Sequence, residues 1–202
     1  DFNYDFKGNL FGSYSYSLSN IFQLEAINVG SFKEVKLAGN KKKDLNSTFL
    51  EKNNLNFRLG GKLLIFSPQK DDLLWLTLRT SIGRNDDTNQ GYLFSELIST
   101  LRLNEQIAFN ISPKYFLSGV KSFGGFGFSS YINLLDNVQL IPEINTSFNN
   151  DSDFNSTLAL RYSYSPNKSL DLYYSNAPGI QDIGQLLTDN KYRFGVKLNF
   201  LY

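Results

Sequence analysis

The chain has 202 residues, with 20 Lys plus Arg against 19 Asp plus Glu, and neither Cys, Met nor His. A net charge of +1 provides no global field for nucleic acid, and lacking both His and Cys removes the usual general base, the thiolate nucleophile and most zinc-ligand sets. The longest apolar runs, such as Leu63-Leu64-Ile65-Phe66 and Leu73-Leu74-Trp75-Leu76, fall far short of the roughly 20 residues of a spanning helix, which excludes a helical membrane protein.

Taken in chain order, the sequence repeats one pattern: apolar and aromatic residues alternate with polar ones in segments of about ten residues, the length of a tilted membrane-spanning strand. Residues 1–6 read as a strand turning at Lys7-Gly8-Asn9, the stump of a longer one. Asp1 follows no Met, basic region or apolar stretch, as expected of a chain that lost a signal peptide or was trimmed from something longer. Leu10, Tyr14, Tyr16 and Leu18 alternate with Ser13, Ser15 and Ser17, and Phe22, Leu24 and Ala26 with Gln23 and Glu25. After a long polar segment, 31–54, with a solvated charge run at Lys41-Lys42-Lys43, Leu55, Phe57, Leu59, Leu63 and Ile65 oppose Asn56, Arg58, Gly60 and Lys62.

Ser67 to Asp72 is a turn, and Leu74, Leu76, Leu78 and Ile82 then oppose Trp75, Thr77, Arg79 and Ser81. Beyond 84–90, Leu93, Leu97, Leu101 and Leu103 face away from Glu96, Thr100 and Arg102. Asn104-Glu105-Gln106 turns into Ile107, Phe109, Ile111 and Tyr115 against Asn110, Ser112 and Lys114. Phe126, Phe128, Ile132 and Leu134 follow, then Asp136-Asn137, then Val138, Leu140, Ile144 and Phe148 against Gln139, Glu143, Asn145 and Ser147. Phe154, Leu158, Leu160, Tyr162 and Tyr164 oppose Asn155, Thr157, Arg161 and Ser163, and Ser165 to Lys168 turns into Leu170, Leu172 and Tyr174 against Asp171. Residues 177–189 break the alternation and read as a short helix or an inward-folding loop. The last segment, 191–202, sets Tyr192, Phe194, Val196, Leu198, Phe200 and Tyr202 against Lys191, Arg193, Lys197 and Asn199.

Short turns on one side and longer connections on the other (31–54, 84–90, 149–153 and 177–189) are the asymmetry of an outer-membrane barrel, where the short side is periplasmic. The pattern predicts a single all-β domain over 1–202, an antiparallel up-and-down transmembrane β-barrel of about 12 strands, with 10 to 14 the range it allows. No linker or composition shift divides the chain.

The C-terminal segment resembles the β-signal by which outer-membrane β-barrel proteins, porins among them, are recognised for assembly: polar, any, Gly, any, any, apolar, any, aromatic. Arg193, Gly195, Leu198 and Phe200 occupy those places and Tyr202 supplies the terminal aromatic, where the bacterial family most often ends on Phe. The resemblance covers about ten residues, at the end of a chain that alternates throughout. It implies a bacterial-type (Gram-negative) outer-membrane location, and outer-membrane lipid and the β-barrel assembly machinery as partners.

If the apolar parity faces lipid, the other faces an enclosed lumen. Its basic residues are Arg58, Lys62, Arg79, Arg102, Lys114, Arg161, Lys191, Arg193 and Lys197, and its acidic ones Glu25, Glu96, Glu143 and Asp171. Nine against four predicts an excess of positive charge, as in anion pores. Glu96 and Glu143, the nearest approach to a carboxylate pair, are read as structural compensation for nearby Arg. Asn85-Asp86-Asp87 with Asn89, and Asn149-Asn150-Asp151 with Asp153, lack the spacing of a calcium loop and are read as turns. Gly124-Gly125-Phe126-Gly127 does not open a helix and is read as close strand packing or a bend. The Asn-x-Ser/Thr triplets at Asn46, Asn110, Asn145, Asn150, Asn155 and Asn167 are read as chance, since several fall within strands.

The expectation is a non-enzymatic, porin-like channel for passive diffusion of small, preferentially anionic solutes, with no cofactor, metal or nucleic acid, and with self-association into a homo-oligomer compatible with the pattern. A non-conducting barrel that anchors surface loops or binds a partner is the first alternative. A soluble, secreted β-sandwich binding module is the second.

Overall fold

The computed structural model describes residues 2–5, 10–29, 56–67, 73–85, 90–119, 122–148, 154–177, 182–188 and 192–200. Twelve antiparallel strands close into one barrel in sequence order: β1 (Phe2–Asp5), β2 (Leu10–Ser17), β3 (Phe22–Val29), β4 (Asn56–Phe66), β5 (Leu74–Asn85), β6 (Gln90–Arg102), β7 (Ile107–Ser118), β8 (Ser122–Leu135), β9 (Val138–Ser147), β10 (Phe154–Ser165), β11 (Lys168–Ser175) and β12 (Arg193–Phe200). The ring closes where β12 pairs with β1, Phe2 opposite Leu198 and Asp5 opposite Gly195. The strand inferred at residues 1–6 is therefore half of the closing seam.

Turn chemistry fixes the registers along one rim. Ser19 Oγ accepts from the N–H groups of Ile21 and Phe22, and Asn104 Oδ1 from those of Gln106 and Ile107, side-chain turns that redirect the chain in four residues. Asp136-Asn137 and Pro166-Asn167 are two-residue hairpin turns. Among the described residues the β6–β7 and β8–β9 ladders skip pairs at Pro113 and Pro142, where the ring leaves no N–H to donate.

In the strands whose side chains are described, β1 not among them, one parity points outward and is apolar. Leu59, Leu63, Ile82, Phe109, Ile111, Phe128, Ile144, Leu158, Leu160 and Leu172 are each more than a third exposed. The other parity points inward, and it is there that charged groups are buried: Glu25, Arg58, Arg79, Glu96, Lys114 and Asp171. A soluble fold reverses this. The inner face also carries Phe94, Phe116 and Phe123, all buried, with the Phe116 ring stacked on Tyr92 (5.7 Å) and tilted against Phe123 (5.1 Å).

Between β11 and β12 the chain turns into the barrel. Residues Asp182–Leu186 form one turn of 3-10 helix, against β6, β7, β9 and β10, with Leu186 and Leu187 buried. Gly125 lies beside it: a Cβ there would run into the Thr146 carbonyl and the Leu186 side chain, which accounts for a glycine on this stretch of β8. Of the two forms expected for 177–189, the described part takes both, helical and inward. Of the turn expected at 85–89, Asn85 is the last residue of β5; residues 86–89 and 149–153, Lys41-Lys42-Lys43, Lys191 and Tyr202 lie outside the described residues.

Candidate functional site

The inner face carries two charged rows fixed by strand register. On β4–β7, Lys62 is opposite Arg79, Arg79 opposite Glu96, and Glu96 opposite Lys114. On β10–β12, Arg161 is opposite Asp171 and Asp171 opposite Lys197. In a ring of twelve strands, β5–β6 and β11–β12 lie on opposite walls, so the rows face each other across the lumen.

Two cations directly opposite each other, Lys62 and Arg79, would repel. Glu25, from β3, separates them: its Oε1 is 2.6 Å from Lys62 Nζ and its Oε2 3.2 Å from Arg79 Nε and 3.1 Å from Arg58. Arg79 also donates to Glu96 at 2.6 Å. Lys114 lies 3.9 Å from Glu96 and 3.8 Å from Glu143, and donates to Asn145 Oδ1 and Gln185 Oε1. Glu96 and Glu143 thus do not pair with each other. Each compensates a cation, with Lys114 rather than an Arg beside Glu143.

The 3-10 turn completes this cluster. The Asp182 carboxylate receives four donors: Arg58 Nη1 at 2.9 Å, Arg79 Nη2 at 3.2 Å, Ser81 Oγ at 2.9 Å and Tyr92 Oη at 3.2 Å. Its backbone φ is +52°, a left-handed conformation that Asp tolerates better than most residues. Further along, the Asn155 side-chain amide donates to the carbonyls of Gln185 (2.6 Å) and Leu187 (2.9 Å), satisfying acceptors that the end of a helical turn leaves open. Asn145 supports Asn155 at 3.0 Å.

The charge balance inferred from the sequence needs correction here. The cluster on the β4–β7 wall holds four cations, Arg58, Lys62, Arg79 and Lys114, against four carboxylates, Glu25, Glu96, Glu143 and Asp182. It is neutral, because an acidic residue from a connection was not counted with the strands. On the facing wall Arg161 makes a bidentate pair with Asp171 at 2.7 and 2.8 Å, and Asn199 donates to the same carboxylate at 3.1 Å, with Lys197 next in register. Arg193 occupies the inner parity of β12 opposite Ser175. Arg102 stands apart at the turn rim, donating to the Asn104 carbonyl and lining, with Tyr131, Asn133 and Gln139, a cavity of about 220 Å³.

Sequence reasoning missed Asp182, Tyr92, Ser81, Asn145 and Asn155 as members of this site. The two asparagines had been placed on the polar parity of their strands and their triplets read as chance, with no part in the site given to them, and both are buried on the inner wall. Leu186-Leu187, an apolar pair in a polar connection, was the available sign that this segment needs an interior.

No protein-family model and no curated protein matches the sequence. Solved structures do resemble it. A KdgM porin in complex with disordered oligogalacturonate superposes with a TM-score of 0.71 at 7% identity, covering 100% of this chain and 96% of that one. A second KdgM porin structure gives 0.67 at 9% identity, with 100% and 96% coverage. The NanC porin gives 0.61 at 11% identity, with 100% and 98% coverage. At such identities the likeness establishes the fold: this chain has the barrel architecture of these porins over its whole length.

Proposed function

We propose that this protein is an outer-membrane channel for passive diffusion of small acidic solutes, carboxylated sugars among them. The observation that carries the reading is a closed twelve-strand wall, apolar outside, whose described inner side chains number eight cationic (Arg58, Lys62, Arg79, Arg102, Lys114, Arg161, Arg193, Lys197) against five anionic (Glu25, Glu96, Glu143, Asp171, Asp182). An exposed Leu, Phe and Tyr surface on every side is an aggregation liability in water and is satisfied in hydrocarbon. The excess of guanidinium and ammonium charge, carried by Arg161, Arg193 and Lys197 against Asp171 on one wall and by Arg102 at the rim, gives a carboxylate successive partners, Arg offering it a planar, bidentate fork. The likeness to porins, one of them solved with oligogalacturonate, supports the same class of solute.

In this reading the turn rim is periplasmic and the long connections are external. The Arg193, Gly195, Leu198 and Phe200 segment of β12, which closes the barrel on β1, is what the assembly machinery recognises.

The test is single-channel recording of detergent-refolded protein in a planar bilayer under a KCl gradient. Discrete openings with a reversal potential on the chloride side are expected. A barrel that is folded by its heat-modifiable migration yet electrically silent would refute the channel. The second reading, a closed barrel anchoring surface loops, would then stand, and the Asp182 network, which draws a segment of the chain onto the inner wall, favours it.

A further inference from the structure

We propose that the Arg58, Arg79, Ser81 and Tyr92 cradle is the lumen's binding site for a solute carboxylate, and that Asp182 occupies it as a tethered competitor. This rests on the reading of the interior as a path for acidic solutes. The geometry is that of ligand recognition: two guanidinium groups on one carboxylate oxygen at 2.9 and 3.2 Å, a hydroxyl and a phenol on the other at 2.9 and 3.2 Å. Asp182 is 3% exposed and Arg58 2%, so the site is dehydrated, where charge-assisted hydrogen bonds are strongest.

The attachment of the segment is divided. Its far end is held independently of Asp182 by the Asn155 amide on two backbone carbonyls, by Lys114 on Gln185 and by burial of Leu186 and Leu187. A solute carboxylate therefore needs to displace one side chain and relax one left-handed residue, φ +52°, while the rest of the turn stays seated. A tethered group acts at an effective concentration on the order of millimolar or more, so Asp182 weakens binding of a free carboxylate without abolishing it.

The experiment measures digalacturonate binding to the refolded, detergent-solubilised barrel by calorimetry, with a neutral disaccharide as control. Asp182→Asn and Asp182→Ala are each checked for heat-modifiable migration. Asp182→Ala is expected to tighten digalacturonate binding about tenfold or more and leave the neutral sugar unchanged, and Asp182→Asn, which keeps the shape but not the charge, to fall between. Arg58→Gln in the Asp182→Ala background is expected to reverse the gain. Unchanged affinity in both folded Asp182 variants overturns the proposal even if the protein conducts. Tighter binding by a barrel that is silent in the bilayer upholds the site and removes only the channel.

Discussion

Replacing Arg79 by Met removes one cation and keeps most of the side-chain volume. Three carboxylates, those of Glu25, Glu96 and Asp182, lie 3.2, 2.6 and 3.2 Å from its guanidinium, whose side chain is 6% exposed. At an effective dielectric near 20, a unit-charge pair about 4 Å apart interacts by about 4 kcal/mol, and removing one partner of a buried pair costs about 3–5 kcal/mol because the other charge is stranded. Glu25 retains Arg58 and Lys62, and Asp182 retains Arg58. Glu96 retains only Lys114, at 3.9 Å, among its ion pairs. The loss should therefore fall on Glu96, and Arg79→Met should lower the unfolding free energy by about 3–5 kcal/mol. The assay is reversible urea unfolding in detergent, followed by the fluorescence of Trp75, the only tryptophan. Adding Glu96→Gln should recover more than about 1 kcal/mol, a coupling that non-interacting sites do not show. A single-variant cost under about 1 kcal/mol with an additive double variant would refute the reasoning, since it would mean that water in the lumen screens the cluster as it does at a surface.

Three other outcomes follow from the same structure. Asn155→Ala leaves the Gln185 and Leu187 carbonyls without their amide; limited proteolysis within 177–189 should accelerate and unfolding free energy should fall by about 1–3 kcal/mol. Gly195→Val should cost about 1–3 kcal/mol in the same urea assay, because a Cβ on Gly195 collides with the Tyr173 ring on the neighbouring strand. Leu160→Arg, on the outer parity of β10, should cost about 2–4 kcal/mol when unfolding is measured in lipid bilayers if that face meets hydrocarbon, whereas a water-facing site would absorb it within about 0.5 kcal/mol.

Which residues form strands, and which side of each strand is apolar, was legible in the sequence because side chains alternate strictly along an extended chain. The parity of Arg58, Arg79, Glu96, Lys114, Arg161 and Asp171 could be assigned from their neighbours alone, and the short turns at Asn104, Asp136 and Pro166 carry their own chemistry. What alternation cannot supply is which residues meet across strands and across the lumen. That depends on register and closure: Lys62 meets Arg79 only in the β4–β5 pairing, and the two charged rows face each other only because twelve strands close into a ring. The 3-10 turn was harder still, since one turn of helix has no periodicity to detect. Asp182, four residues before Leu186-Leu187, becomes a member of the site because an apolar pair with nowhere else to go draws the segment inward and delivers a carboxylate to the guanidinium groups of Arg58 and Arg79. Local pattern set the wall, and long-range packing set the charge that the lumen presents.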